Sequence, residues 1–86
     1  MSFALPICVT QANAKDVENQ GALALVQSHQ VDCTALHDFD SSVLAVLLAW
    51  QRQLGKRNQS LVVLNPPEKL RVLASVYGVS NLLGLQ

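Results

Sequence analysis

Apolar and polar positions along the chain predict three short strands. Each is an apolar or alternating run bounded by turn residues, and the three lie at Ala4–Thr10, His29–Thr34 and Ser60–Leu64. Pro6 lacks an N–H group and is expected to keep the first strand near a sheet edge. Leu61–Leu64 is apolar on both faces, which is typical of a central strand in a parallel sheet.

Apolar residues at helical spacing predict three helices, near 13–27, 42–56 and 67–77. The second has the widest apolar stripe, and Ser41 or Ser42 is expected to cap its N-terminus. Gly21 lies inside the first helix, where glycine costs about 1 kcal/mol relative to alanine. The alternating order predicts an α/β domain with right-handed crossovers, in which the last two strands pair in parallel.

The composition fits one folded domain covering residues 1–86. Half of the 86 residues are hydrophobic and 14% are charged, which supplies one core and excludes intrinsic disorder. The formal net charge is zero, which argues against a protein that binds nucleic acid by neutralising phosphates. The apolar share is high for so small a domain, and part of it is expected to remain exposed as a contact surface.

Cysteine use and apolar run lengths predict the compartment. Cys8 and Cys33 lie in apolar stretches outside any Cys-x-x-Cys pair, which predicts buried thiols in a reducing compartment. Residues 1–6 have neither the basic start nor the long apolar core of a secretory signal. The longest apolar run, Val43–Trp50, falls far short of the ~20 residues of a membrane-spanning helix. We therefore expect a cytoplasmic protein without direct membrane insertion.

Polar side chains are concentrated in the segment His37–Ser42, between a predicted strand and a predicted helix, where open α/β sheets place their sites. A metal site built from His37, Asp38 and Asp40, with Asp32 as a further ligand, lacks tight ligand spacing. A serine nucleophile with His37 as its base lacks the G-x-S-x-G turn, and a phosphate site lacks glycine. An Asx turn followed by a serine N-cap accounts for the same residues without metal, catalytic group or cofactor.

A longer pattern carries a family resemblance. Val-Asp-Cys-Thr-Ala-Leu at 31–36 precedes Asp-Ser-Ser-Val-Leu-Ala-Val-Leu-Leu at 40–48, and a Leu-rich strand at 61–64 leads to a helix ending within 73–79. This order resembles the STAS domain family, in which an Asp-Ser-Ser-Gly motif precedes an apolar helix. Within that family the chain is most similar to the MlaB-like branch. The resemblance implies a STAS-like α/β fold, with a small mixed β-sheet covered by helices and shortened at the N- and C-terminal ends.

Two positions depart from the family pattern. Cys33 replaces the usual leucine, and Val43 stands where glycine is common. The side chain of Val43 is expected to lie where a kinase or an anti-sigma partner would approach the serine of the motif.

The resemblance also implies a function. The chain would be a non-catalytic subunit that binds and regulates the ATPase of a phospholipid-transport ABC complex, peripheral to the inner membrane through that partner. An anti-sigma factor antagonist, with Ser41 as the phosphoacceptor of an anti-sigma kinase, stays open as the alternative. A small hydrolase that uses Ser41 and His37 is a third hypothesis.

By resemblance, the partner-binding residues lie at the start and along one side of the second helix: Asp40, Ser41, Ser42, Ala45, Ala49 and Arg52. Ala45, Ala49 and Arg52 recur at helical spacing, with Lys56 one turn further on, while the leucines of this helix face the sheet. Small alanines let a partner come close, and Arg52 can bind a carboxylate. An ordinary solvated face is the alternative, and Trp50 is either a core residue or an interface anchor.

Overall fold

Strands and helices alternate in the computed structural model, which describes residues 2–85. In chain order the elements are β1 (Phe3–Ala4), β2 (Cys8–Val9), α1 (Ala14–Ala24), β3 (Gln30–Asp32), β4 (Asp38–Phe39), α2 (Ser42–Gly55), β5 (Val62–Leu64), α3 (Glu68–Val76) and α4 (Ser80–Leu83). The predicted α/β class and its three helices are confirmed. Two short elements were not predicted, β4 and α4.

The described strands form two sheets, one in the order β1-β3-β5 and one pairing β2 with β4. Every pairing is parallel, so the single mixed sheet expected from the sequence is wrong in this detail. The parallel pairing of β3 with β5 is confirmed, because the intervening helix α2 carries the chain back across the sheet.

Pro6 divides the predicted strand Ala4–Thr10 into β1 and β2. The Leu5 N–H still donates to the Asp32 carbonyl of β3 at 2.9 Å. The Ile7 carbonyl, two residues later, accepts instead from the N–H groups of His37 and Asp38 at the start of β4, both at 2.9 Å. A proline cannot donate to a ladder, so the chain leaves one sheet at this point and enters the other.

Trp50 lies at the centre of the core and is 0% exposed, which confirms its prediction as a core residue. Its indole N–H donates to the Glu18 carbonyl at 3.0 Å, and its ring meets that of Phe3 edge-on, with centroids 5.6 Å apart. The indole also approaches Gly21 so closely that a Cβ built there would lie 2.1 Å from Cζ2 of the ring. The glycine inside α1 is therefore required by the contact between α1 and α2.

Helices α1 and α4 flank α2 and are tied to it by side-chain hydrogen bonds. On one side the amide of Gln53 donates to the Ala22 carbonyl at 3.0 Å, and the Arg57 guanidinium donates to carbonyls at the end of α1. On the other side the amide of Gln51 donates to the Leu82 carbonyl at 3.0 Å. One stripe of α2 is left facing outward between the two neighbours.

The two cysteines differ in burial. Cys33 is 1% exposed, and burial, with a smaller effect of the Asp32 charge, raises the pKa of its thiol to about 12. Cys8 is only partly buried. The prediction of buried thiols is therefore confirmed for Cys33 alone.

No helix among residues 2–85 combines the length and the apolar character needed to cross a bilayer.

Candidate functional site

Asp40 forms the junction between β4 and α2, and both of its carboxylate oxygens accept backbone hydrogen bonds. Oδ1 accepts from the Ser42 N–H at 2.8 Å, and Oδ2 accepts from the Gln11 N–H at 3.1 Å. These bonds, first to the Ser42 backbone and then to Gln11, hold the pKa of Asp40 below its usual value. The carboxylate thus satisfies one of the free N–H groups at the start of the helix.

The expectation that Ser41 or Ser42 caps α2 is met in position, since Ser41 is the N-cap residue, but not in hydrogen bonding. Ser41 occupies the capping position with helical backbone angles, φ −63° and ψ −14°, and makes no side-chain capping bond. The Ser42 N–H donates to the Asp40 carboxylate instead. Asp40 takes the capping role because an Asx turn places its carboxylate next to the N–H group of Ser42, two residues ahead.

Ser41 therefore has an exposed side chain whose hydroxyl has no hydrogen-bond partner within residues 2–85. The two serines of the motif differ as a result. Ser42 is half-buried, and its N–H group is bonded to the Asp40 carboxylate. The Ser41 hydroxyl is free to contact a partner or to be modified.

We expect Ser41→Ala to change the free energy of unfolding by less than about 0.5 kcal/mol, as an exposed substitution without a capping bond. Asp40→Ala should lower the urea midpoint clearly, because the Ser42 and Gln11 N–H groups lose their acceptor. Urea denaturation of the two variants beside wild type measures both effects. A larger loss for Ser41→Ala than for Asp40→Ala would contradict this assignment of the cap.

The side of α2 that helical spacing predicts to face outward is exposed or partly exposed in the structure. Ala45 and Arg52 are exposed, Ala49 is half-buried, and Lys56 is exposed one turn further on. Within the described part of the chain, the Arg52 and Lys56 side chains have no hydrogen bond or ion pair. The opposite side of the helix is in the core, with its buried members being Val43, Leu44, Val46, Leu47, Trp50 and Leu54.

Val43 is 0% exposed. The expectation that its side chain would lie in the path of a partner approaching the serine is therefore wrong. Because Val43 begins the buried side of α2, replacing the family's glycine with valine adds to the core and leaves the surface around Ser41 open.

The other polar residues of the cluster do not converge on one site. Asp32 lies at the end of β3, in the other sheet, where Oδ1 accepts from the Thr34 N–H at 2.9 Å. His37 and Asp38 are exposed. Residues 2–85 contain no group of three or more His, Cys, Asp or Glu side chains placed to hold a metal ion, and no hydrogen bond between His37 and Ser41 that would activate a nucleophile.

The turn at Gln11 was missed by the sequence reasoning. Its N–H group binds Asp40 from 29 positions away, and the side chains of Gln11 and Ala12 are exposed beside the start of α2. The sequence holds no local signal for this contact, because it depends on the pairing of β2 with β4.

A family model described as the STAS domain of MlaB matches residues 8–84, which is most of the chain. The matched span includes every described element except β1, and it contains α2 and the Asp40 junction. No curated protein and no solved structure matches the chain.

Proposed function

This chain belongs to the STAS domain family of the MlaB type, and from that premise we propose that it binds and regulates the ATPase of a phospholipid-transport ABC complex. STAS domains are generally non-catalytic, so the chain would act through contact alone. It would be cytoplasmic and would reach the inner membrane only through its partner.

The observation that carries this proposal is the free outward face of α2. The face is defined by Ser41, Ala45, Ala49 and Arg52, and it joins an unbonded hydroxyl, two small side chains and an unpaired guanidinium on one helix. Two methyl groups in the middle let a partner helix approach closely. A guanidinium without an internal partner can form a bidentate hydrogen bond with a carboxylate of the partner.

The rigidity of α2 also favours docking. The helix is buried on its sheet side, and the bonds from Gln51 and Gln53 fix it between α4 and α1. A face held in this way loses little conformational entropy when a partner binds, so more of the contact energy is retained as affinity.

The alternative function, an anti-sigma factor antagonist switched by phosphorylation, is favoured by one observation. The Ser41 hydroxyl is exposed and unbonded, and the buried Val43 does not obstruct it. A phosphate on Ser41 would add about −1.5 to −2 charge beside Asp40. The helix N-terminus would favour that charge and the carboxylate would oppose it, so the main effect would fall on docking.

Affinity capture of the tagged chain from native membranes tests the proposal. We expect an ABC ATPase subunit to co-purify in comparable amount, with Ser41 unmodified in the mass spectrum of the captured chain. Recovery of a protein kinase of the anti-sigma class, together with a phosphorylated Ser41 peptide, would replace the proposed function with the alternative.

A further inference from the structure

We propose that the C-terminal end of α2 docks on an acidic patch of the ATPase, and that charge separation along the chain sets the direction in which α2 lies on this partner. The inference rests on the proposed function, in which α2 is the docking helix. It adds the chemistry of the partner surface and the polarity of the contact.

Half of the basic residues of the chain lie at the end of one helix. The sequence has six lysine and arginine residues, and three of them are Arg52, Lys56 and Arg57. All three are exposed, in the last turn of α2 or just beyond it. No aspartate or glutamate occurs from residue 41 to residue 67, so this cationic end has no acidic neighbour in the sequence.

The fold places the negative charges at the opposite end of the domain. Helices α1 and α2 each begin where a strand ends and return to the edge where the next strand begins, because the paired strands are parallel. The C-terminal part of α2 lies at that second edge, where Gln51 accepts from the Leu61 N–H at 2.7 Å just ahead of β5. The acidic residues lie at the ends of β3 and β4 or in the first two turns of α1 and α3: Asp16, Glu18, Asp32, Asp38, Asp40 and Glu68.

The cationic end has no internal counter-charge. Within residues 2–85 the Arg52 and Lys56 side chains have no hydrogen bond or ion pair. The Arg57 guanidinium donates to backbone carbonyls, which are uncharged and leave its positive charge in place. The 14 residues of α2 separate the two ends by about 20 Å. This distance exceeds the Debye length of about 8 Å at physiological ionic strength, so the acidic end does not cancel the field of the cationic end.

Stabilisation of helix ends does not account for this pattern. Cations in the last turn favour any helix through its dipole, yet α1, α3 and α4 carry none there. Helix α1 instead receives the Arg57 guanidinium from beyond the end of α2. The positive charge is therefore concentrated on the helix whose outward side is unpartnered, which favours recognition of an acidic surface over a general requirement of helices.

Lys56→Glu tests the inference, and Lys15→Glu is the matched control. Both substitutions replace an exposed lysine and change the net charge equally, but Lys15 lies in the first turn of α1, at the acidic end. At low ionic strength we expect Lys56→Glu to slow association with the co-purified ATPase subunit about tenfold. Lys15→Glu should leave the association rate as it is in wild type, because the acidic end does not meet the acidic patch.

Two further measurements separate charge from folding. The effect of Lys56→Glu should disappear at high salt, because screening removes the long-range attraction. Lys56→Gln removes the charge without reversing it, so its association rate should lie between those of Lys56→Glu and wild type. All three variants should have thermal midpoints within a few degrees of wild type, since the substitutions are exposed and the surface ion pair of Lys15 with Glu18 contributes little.

The outcomes separate this inference from the proposed function. An equal loss of rate in Lys56→Glu and Lys15→Glu would mean that the ATPase responds to net charge alone, and the inference would be wrong. It would also be wrong if neither variant slowed association. In that case, loss of binding by Ala45→Glu would leave the docking of α2 in place, whereas wild-type binding by Ala45→Glu would exclude α2 itself from the interface.

An anionic membrane is the other surface that could attract these cations. Flotation with vesicles of phosphatidylcholine and phosphatidylglycerol distinguishes it from the ATPase. We expect the wild-type chain alone to remain unbound. If the wild-type chain floated with the vesicles and Lys56→Glu did not, the cationic end would belong to a membrane contact and the inference would be overturned.

Discussion

Gly21→Ala is expected to lower the free energy of unfolding by at least about 2 kcal/mol, although alanine is the better helix former by about 1 kcal/mol. The added Cβ would lie 2.1 Å from Cζ2 of Trp50, far inside van der Waals contact. The indole cannot withdraw, because its N–H bonds to the Glu18 carbonyl and its ring meets Phe3 edge-on in a fully buried site. The strain must instead push α1 away from α2.

Gly55→Ala is the matched control for this prediction. Gly55 lies in the last turn of α2, and a Cβ there meets no atom within 4 Å. The same substitution should therefore raise stability by up to about 1 kcal/mol. Urea unfolding of both variants gives the two values, and Gly21→Ala with wild-type stability would show that the described contact between α1 and Trp50 is wrong.

Ala45→Glu is expected to weaken binding of the ATPase subunit at least about tenfold, which corresponds to about 1.4 kcal/mol. Because the Ala45 side chain is exposed, glutamate fits at this position in the free protein. The thermal midpoint should therefore move by only a few degrees. In the complex, the added carboxylate would be buried against a partner surface without a matching cation.

Val76→Glu provides the control for Ala45→Glu. Val76 is 76% exposed on α3, outside the proposed surface, and the substitution adds the same charge to another helix. Isothermal titration should give wild-type affinity for Val76→Glu and a loss for Ala45→Glu. Equal affinities in both variants would exclude the outward face of α2 from the interface.

The helices α1, α2 and α3 were predictable because their apolar patterns extend over several turns. The apolar stripe of α2 repeats over four turns, and α3 ends just before Gly78, a glycine with φ +71°. The two-residue strands β1, β2 and β4 are too short for an alternating pattern to appear. Helix α4 has four residues and gives no helical period.

The candidate site was predictable only where it follows from helical spacing. Helical periodicity alone places Ala45 and Arg52 on the side of α2 opposite its apolar stripe, so their exposure could be predicted from this one helix. The cap could not be assigned, because Asp40, Ser41 and Ser42 are all good capping residues and the choice depends on where helical backbone angles begin. The link from Gln11 to Asp40 depends on strand pairing, which leaves no local trace in the sequence.

Photo-crosslinking in native membranes, from a benzoylphenylalanine residue placed at position 45 or at position 76, tests directly whether the outward face of α2 contacts an ABC ATPase. We expect the residue at position 45 to crosslink to an ABC ATPase subunit and the residue at position 76 not to. A crosslink from position 76 alone, or crosslinking of position 45 only to a protein other than an ABC ATPase, would contradict this expectation.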